Sequence, residues 1–348
     1  MNDYSGPPYS GTQTMQALVK TEPGPGSVSL IEWPRPAAKP GWVVIEVAAS
    51  GICGTDLHIL GGTHRCYPPV VLGHEYAGTV VAAGVGVANL RVGDRVVVEQ
   101  HAGACGSCDV CRRGLIHLCE HKRPPGWGID GAFARYLAAP AWLAHIVPGD
   151  VPLTVAAVCE PLAIVLTGLA RLRFAAGDTI GVIGPGSLGL LTAIAARASG
   201  AGRVVVVGRA SSAGRLALAE RLGFETAASA EHDAVTSASG LDAVVETTAS
   251  ASGIAHGIQL LRRAGQLVSL GLSESDSVTV PWNLAMQRGI DLHFSMSSEY
   301  ASWDRALSLL RAVSAQVEQM TTLFPLQNWQ DAFEAVRQRS VTKALLVP

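Results

Sequence analysis

Four cysteines fall within fifteen positions, in the spacing Cys105-x2-Cys108-x2-Cys111-x7-Cys119. Thiolates are soft, compact ligands, and four of them satisfy a tetrahedral zinc completely. The spacing predicts a structural zinc that staples a loop, about residues 101–121, and leaves no coordination position open for chemistry. His101, His117 and His121 lie nearby, and with four cysteines at hand they are expected at the surface rather than on the metal. A second set is scattered: Cys53, His74, Glu75 and Glu160. Each can bind zinc, as thiolate, neutral imidazole or carboxylate, and a catalytic zinc needs three protein ligands and one exchangeable position. Spacing alone does not select among them. A lone cysteine is often a small core hydrophobe, a glutamate before proline is often only a helix-start carboxylate, and Cys159 beside Glu160 offers another thiol.

A third stretch points to a cofactor. Thr179-Ile-Gly-Val-Ile-Gly184-Pro185-Gly186-Ser187-Leu188-Gly189 reads as a buried strand, a glycine turn and a helix, with a second strand over Arg203–Val207. In such a βαβ unit Gly184 allows the tight turn and Gly186 lets the backbone approach a pyrophosphate. Gly189 lets helix and strand pack closely. The helix N-terminus supplies free N–H groups and partial positive charge. Thr179 to Ala196 is uncharged and long enough to suggest a membrane span, but Gly184-Pro185-Gly186 near its middle favours the dinucleotide reading.

These residues need two domains to position them, since 348 residues exceed what one ordinary core serves. Hydrophobic residues make up 48%, charged residues 16%, and the net charge is −2, so nothing points to nucleic acid or an anionic membrane. No basic-then-apolar leader opens the chain, and seven cysteines are an odd number, which argues against a disulfide framework and for a reducing cytoplasm. Residues 1–14 read as a flexible extension before a strand over Gln16–Lys20. Residues 15–50 alternate short β-type runs (Val28–Ile31, Trp42–Ala48) with proline and glycine, as an antiparallel, loop-rich domain does. A helix is expected from near Pro161. Helices over Leu216–Leu222 and Gly253–Arg263 then alternate with strands over Ala243–Glu246 and Gln266–Leu270. That alternation predicts an α/β, doubly wound parallel sheet. A helix over Trp303–Ala312 and a strand near the C-terminus, which returns to the first domain, complete the chain.

Several motifs occur in one order: Gly51-Ile-Cys53-Gly-Thr55-Asp56-Leu-His58, Gly73-His74-Glu75-x2-Gly78, Gly93-Asp94-Arg95-Val96, the four-cysteine loop, Glu160-Pro161 and Gly184-x-Gly186-x2-Gly189. Together, from about Met15 to the end, the chain resembles the zinc-containing medium-chain dehydrogenase/reductase superfamily, and Glu160-Pro161-Leu162-Ala163 resembles its polyol and threonine branch. The resemblance implies a GroES-like β-rich catalytic domain (15–160 and 298–348) and a Rossmann cofactor domain (161–297). It implies Cys53 and His74 as catalytic zinc ligands, with Glu160 preferred as the third and Glu75 able to ligate or alternate with water. It further implies a homodimer or homotetramer and two zinc ions per chain. In such a site zinc lowers the pKa of an alcohol from about 16 towards about 7, and a nicotinamide accepts its hydride. Thr55 is the expected first proton carrier and His58 the outer one.

The expected reaction is hydride transfer between a secondary alcohol or polyol and the nicotinamide. Carbonyl reduction as the natural direction, and a noncatalytic dinucleotide-binding zinc protein, are the alternatives. Retention of Cys53, Thr55, His74 and Glu160 together argues against the last. The cofactor contacts are expected from Gly184 to Gly189, from Gly208 and Arg209, and from Leu270 and Gly271. The strand Val204–Val207 ends in Gly208-Arg209, where NAD enzymes usually carry an acid. A missing acid plus an arginine, with Arg215 further on, favours the phosphate of NADP.

Overall fold

Short apolar runs cut by glycine and proline build the strands of the first unit. They are β1 (Tyr9–Lys20), β2 (Val28–Pro36), β3 (Trp42–Gly51), β4 (Val70–Val71), β5 (Glu75–Ala83), β6 (Arg95–Val98), β7 (Tyr136–Pro140) and β8 (Ala144–Ile146). The computed structural model describes residues 9–228, 239–273 and 275–348. The chain divides into two units: residues through Glu160 with Glu299–Pro348, and Pro161–Ser298.

In the first unit, β1 lies between β2 and β4 in a three-stranded sheet. A larger sheet has the order β15-β16-β3-β5-β6-β8, with β7 also paired to β3; β15 is Thr321–Pro325 and β16 is Lys343–Val347. β3 is the hinge of this arrangement. Its run Trp42-Val-Val-Ile is buried throughout, so it sits between partners and reads as continuously apolar. β16 pairs antiparallel with β3, Leu345 opposite Gly51, and β3 pairs antiparallel with β5, Gly51 opposite Glu75. The end of the chain is thereby brought beside His74 and Glu75. One core packs Ile45, Val80, Val96, Leu137 and Leu143, and a second packs Leu18, Ile52, Ile59, Leu72, Phe133 and Phe333.

Three local expectations change. Tyr9 and Thr14 pair with Pro36 and Pro34 inside β1, so the extension is shorter than residues 1–14, whose first eight lie outside the described residues. Pairing with the next strand, β2, satisfies that backbone, and a polar composition gives no sign of it. The late helix runs over Tyr300–Met320, well beyond Trp303–Ala312. A further helix, Trp329–Arg337, adds to the expected elements; it buries Ala332 and Phe333 on one face.

Among the described residues, the second unit carries six parallel strands in the order β11-β10-β9-β12-β13-β14. These are β9 (Thr179–Ile183), β10 (Arg203–Gly208), β11 (Glu225–Ala228), β12 (Leu241–Glu246), β13 (Leu261–Ser269) and β14 (Asp291–Phe294). Central strands rich in valine are buried on both faces, as parallel sheets require. No helix among the described residues is long and apolar enough to cross a membrane.

Candidate active site

Cys53 stands just before the helix α1 (Gly54–Leu60), at its N-cap. Asp56 in the first turn accepts a hydrogen bond from the Cys53 backbone N–H at 2.8 Å, which fixes how the chain leaves β3. His74 immediately precedes β5, and Glu75 opens it opposite Gly51 at the end of β3. The ligand atoms of Cys53, His74 and Glu75 all lie within 4.8 Å of one another. His74 Nδ1 faces the buried Asp56 carboxylate at 3.7 Å, which leaves Nε2 as the nitrogen for a metal. A carboxylate behind a ligating imidazole orients the ring and raises its basicity.

The donor set fits a dication. Burial first, and Glu75 second, push the Cys53 thiol up to about 12. Burial likewise raises Asp56, and burial followed by Glu75 raises Glu160 well above the usual carboxylate range. A bound cation is the counter-charge that lets such buried acids ionise together. Zinc accepts this thiolate, imidazole and carboxylate chemistry, with one position left over.

Lys343 supplies a second counter-charge. It is buried in β16, forms an ion pair with the Glu75 carboxylate and donates to the Ile52 carbonyl at 3.0 Å. Burial pulls its pKa down, but Glu75, Cys53 and Glu160 outweigh that and raise it. The pair passes over Gly51, where a Cβ would collide with Glu75 and come 2.8 Å from Lys343 Cε. The only sequence signal for Lys343 is a charge opening the otherwise apolar run Lys343-Ala-Leu-Leu-Val.

Glu160 stays outside the three-residue cluster. It is buried in the first turn of the helix Cys159–Leu169 and accepts a hydrogen bond from Gln100. Cys159 turns its thiol to the Trp303 carbonyl, at 3.9 Å. Thr55 lies 3.7 Å from Cys53 Sγ through its hydroxyl. His58, one turn along α1, shares a 3.3 Å contact with the Thr63 hydroxyl. Trp127 sets its ring against two imidazoles, His74 at 4.8 Å and His64 at 5.4 Å between centroids, both edge-on.

The four cysteines converge separately, with sulfurs within 4.8 Å of one another. Cys108 and Cys105 stand 3.9 and 3.7 Å from Cys119, sulfur to sulfur. A tetrahedron with metal–sulfur bonds of about 2.3 Å has edges of about 3.8 Å, so the spacing fits zinc. Backbone N–H groups at Cys108 and Cys105 point at sulfurs, 3.3 and 3.4 Å away, and favour thiolates. Such contacts, chiefly from Ser107 and Cys108, bring Cys105 down to about 5. His101 and His117 are not at the surface: they are 0% and 2% exposed. His101 stands 3.6 Å from the buried Glu99, an acid that makes its burial tolerable.

In the second unit Gly184 has φ +105°, and a Cβ there would stand 2.7 Å from Thr248 Cγ2. A Cβ on Gly189 would strike the Gly184 carbonyl, so the third glycine serves close packing. Gly186 has open space, apart from Arg215 at 3.8 Å. Pro185 packs on Gly208, where a Cβ would come within 2.8 Å of it. Ser187 and Leu188 open the helix Ser187–Ala198, and Leu270-Gly271 directly follow β13. Arg209 donates to the Ser252 hydroxyl at 3.0 Å, and Arg215 to that of Ser212 at 3.4 Å.

A GroES-like unit with a mixed-ligand centre and a four-cysteine loop, joined to a dinucleotide fold, defines the class of zinc-binding dehydrogenases. The alcohol dehydrogenase GroES-like domain family matches residues 39–149, and the zinc-binding dehydrogenase family matches residues 187–312. The sorbitol dehydrogenase of Halalkalibacterium halodurans is 34% identical, over 96% of this chain and 99% of its own. The D-arabitol-phosphate dehydrogenase of Enterococcus avium is 31% identical, over 96% and 98%. A zinc-binding dehydrogenase from Sinorhizobium meliloti 1021, solved bound to NADP, superposes with a TM-score of 0.90 at 30% identity, covering 97% of this chain and 100% of that one. The chain belongs to the zinc-containing medium-chain dehydrogenase/reductase superfamily.

Proposed function

We propose that this chain is a zinc-dependent oxidoreductase that moves hydride between a secondary alcohol or polyol and a nicotinamide cofactor. The observation that carries this is the convergence of Cys53, His74 and Glu75 beside the Thr55 hydroxyl. Cys53, His74 and Glu75 would hold the catalytic zinc, with Glu160 as the outer carboxylate kept in place by Gln100. Cys105, Cys108, Cys111 and Cys119 would hold a structural one. When bound, the catalytic zinc supplies Lewis-acid polarisation of the alcohol oxygen, and the nicotinamide supplies the hydride acceptor.

The chain's own residues do the rest. Asp56 holds the His74 ring, and Lys343 holds the Glu75 carboxylate. Thr55 Oγ1 accepts the alcohol proton as it gives up its own, and His58, at the partly exposed end of α1, passes that proton outward. Trp127 walls the His74 side and excludes water there.

NADP is the favoured cofactor. Arg209 meets no carboxylate among the described residues, and its serine contact leaves guanidinium donors available for a phosphate. Assembly into a dimer or tetramer is part of the same reading. It is supported by the edge strand β14, whose Phe294 is 78% exposed, and is checked by light scattering.

The reading is tested with a panel of secondary alcohols and polyols offered with NAD and NADP, followed by nicotinamide absorbance. Reduction of cofactor by at least one polyol, abolished by zinc chelation, is expected. No turnover with any alcohol or matching ketone would contradict it.

A further inference from the structure

Beyond the metal ligands, the same unit carries two guanidiniums on one ring. The Arg65 and Arg123 guanidinium carbons lie 4.8 and 4.5 Å from the Tyr67 ring centroid. Among the described residues neither meets a carboxylate at ion-pair distance, whereas Arg135, Arg203, Arg262, Arg311 and Arg337 each do. Each guanidinium is held at the ring by cation–π attraction and has no acidic partner among the described residues. The Tyr67 hydroxyl is buried and has no hydrogen-bond partner.

The cluster is built rather than incidental. Arg123 is boxed by two glycines: a Cβ on Gly103 would stand 2.8 Å from its backbone nitrogen, and one on Gly128 would stand 2.7 Å from its Cα. The Tyr67 N–H donates to the Trp127 carbonyl at 2.9 Å, and the Trp127 ring rests on His74. One residue therefore links the cationic cluster to a candidate metal ligand. A guanidinium fork matches phosphate oxygens two at a time, and a phosphate monoester carries nearly two negative charges.

We propose that Arg65, Tyr67 and Arg123 form a phosphate-ester subsite, and that the substrate is a phosphorylated polyol whose hydroxyl is presented to the Cys53, His74 and Glu75 centre. The last clause rests on the dehydrogenase reading above; the anion site does not. The two guanidiniums bind the ester oxygens, and the Tyr67 hydroxyl supplies one further donor. A neutral polyol offers this subsite nothing and binds more weakly.

The test is calorimetric titration of the zinc-loaded full chain with sorbitol 6-phosphate, sorbitol and inorganic phosphate, in wild type, R65Q and R123Q. Arg65 is exposed, so R65Q reads the subsite even where R123Q disturbs its loop. The ester is expected to bind about tenfold or more tighter than sorbitol. R65Q should erase about tenfold of that discrimination. Equal binding of ester and sorbitol, or discrimination untouched in both variants, overturns the proposal. Inorganic phosphate binding as tightly as the ester also overturns it, since the site then recognises free anion. Cofactor reduction is followed in parallel. Absence of turnover with every probe, while the titrations still discriminate, removes the dehydrogenase reading and leaves the anion site standing.

Discussion

Cys105, Cys108, Cys111 and Cys119 come from one short stretch, whereas Cys53, His74 and Glu75 come from the helix cap after β3 and the entry into β5, and lean on Lys343 in the last strand. The first cluster is all thiol and held by local backbone N–H groups. The second mixes three donor types and is backed by Asp56 and Lys343, themselves buried charged residues. The contrast teaches where stability and chemistry are kept apart. A closed thiolate set leaves no open position, so it can only hold a loop. A mixed set surrounded by compensating charges is costly to build and leaves a position free.

The comparison breaks most sharply at the mixed centre. Cys53→Ala or His74→Ala should lower turnover about 10³-fold or more, because Lewis-acid assistance is worth several kcal/mol. Cofactor affinity, measured by fluorescence titration, should hold, since the glycine turn belongs to the other unit. Cys108→Ser should act the other way. It should destabilise the protein by about 3 kcal/mol or more, or roughly 10 °C in melting temperature, with a smaller fall in kcat. An unchanged melting curve would mean that the cysteine loop holds no structural metal.

Lys343→Met sharpens the contrast, because it removes a buried cation without removing a ligand. Breaking a buried pair costs about 3–5 kcal/mol, and a metal bound through Glu75 should recover part of that. The variant should therefore be more stabilised by added zinc than wild type is, read as the shift in melting temperature. Equal shifts would show that Lys343 and the metal do not share Glu75. The smallest effect belongs to the cofactor unit. Arg209→Ala should raise KM for NADP about tenfold and leave KM for NAD nearly unchanged, the worth of one charge-assisted contact. Equal effects on both cofactors would make Arg209 mere surface.

Legibility in the sequence followed the same divide. The cysteine loop and the glycine turn were readable because their residues are neighbours and their spacing has one chemical meaning. Cys53 and His74 were readable only through a set of motifs in order. Lys343, Gln100 and Trp127 were not, because strand pairing and loop packing across the unit bring them in, and no local pattern encodes that register. His101 and His117 depart from the surface expectation for a related reason, while His121 is exposed as expected. Polar residues are usually exposed, and the buried Glu99 that accommodates His101 can be found only in three dimensions.

The central claim is that one chain carries a closed metal site for structure and an open one for catalysis. Zinc content of wild type, Cys53→Ala and Cys108→Ser, measured by elemental analysis beside turnover, tests it most directly. Two zinc ions are expected in wild type, one for each ligand cluster. Loss of one is expected in each variant, with turnover abolished in Cys53→Ala and largely kept in Cys108→Ser. Full zinc content or near-normal turnover in Cys53→Ala would contradict it.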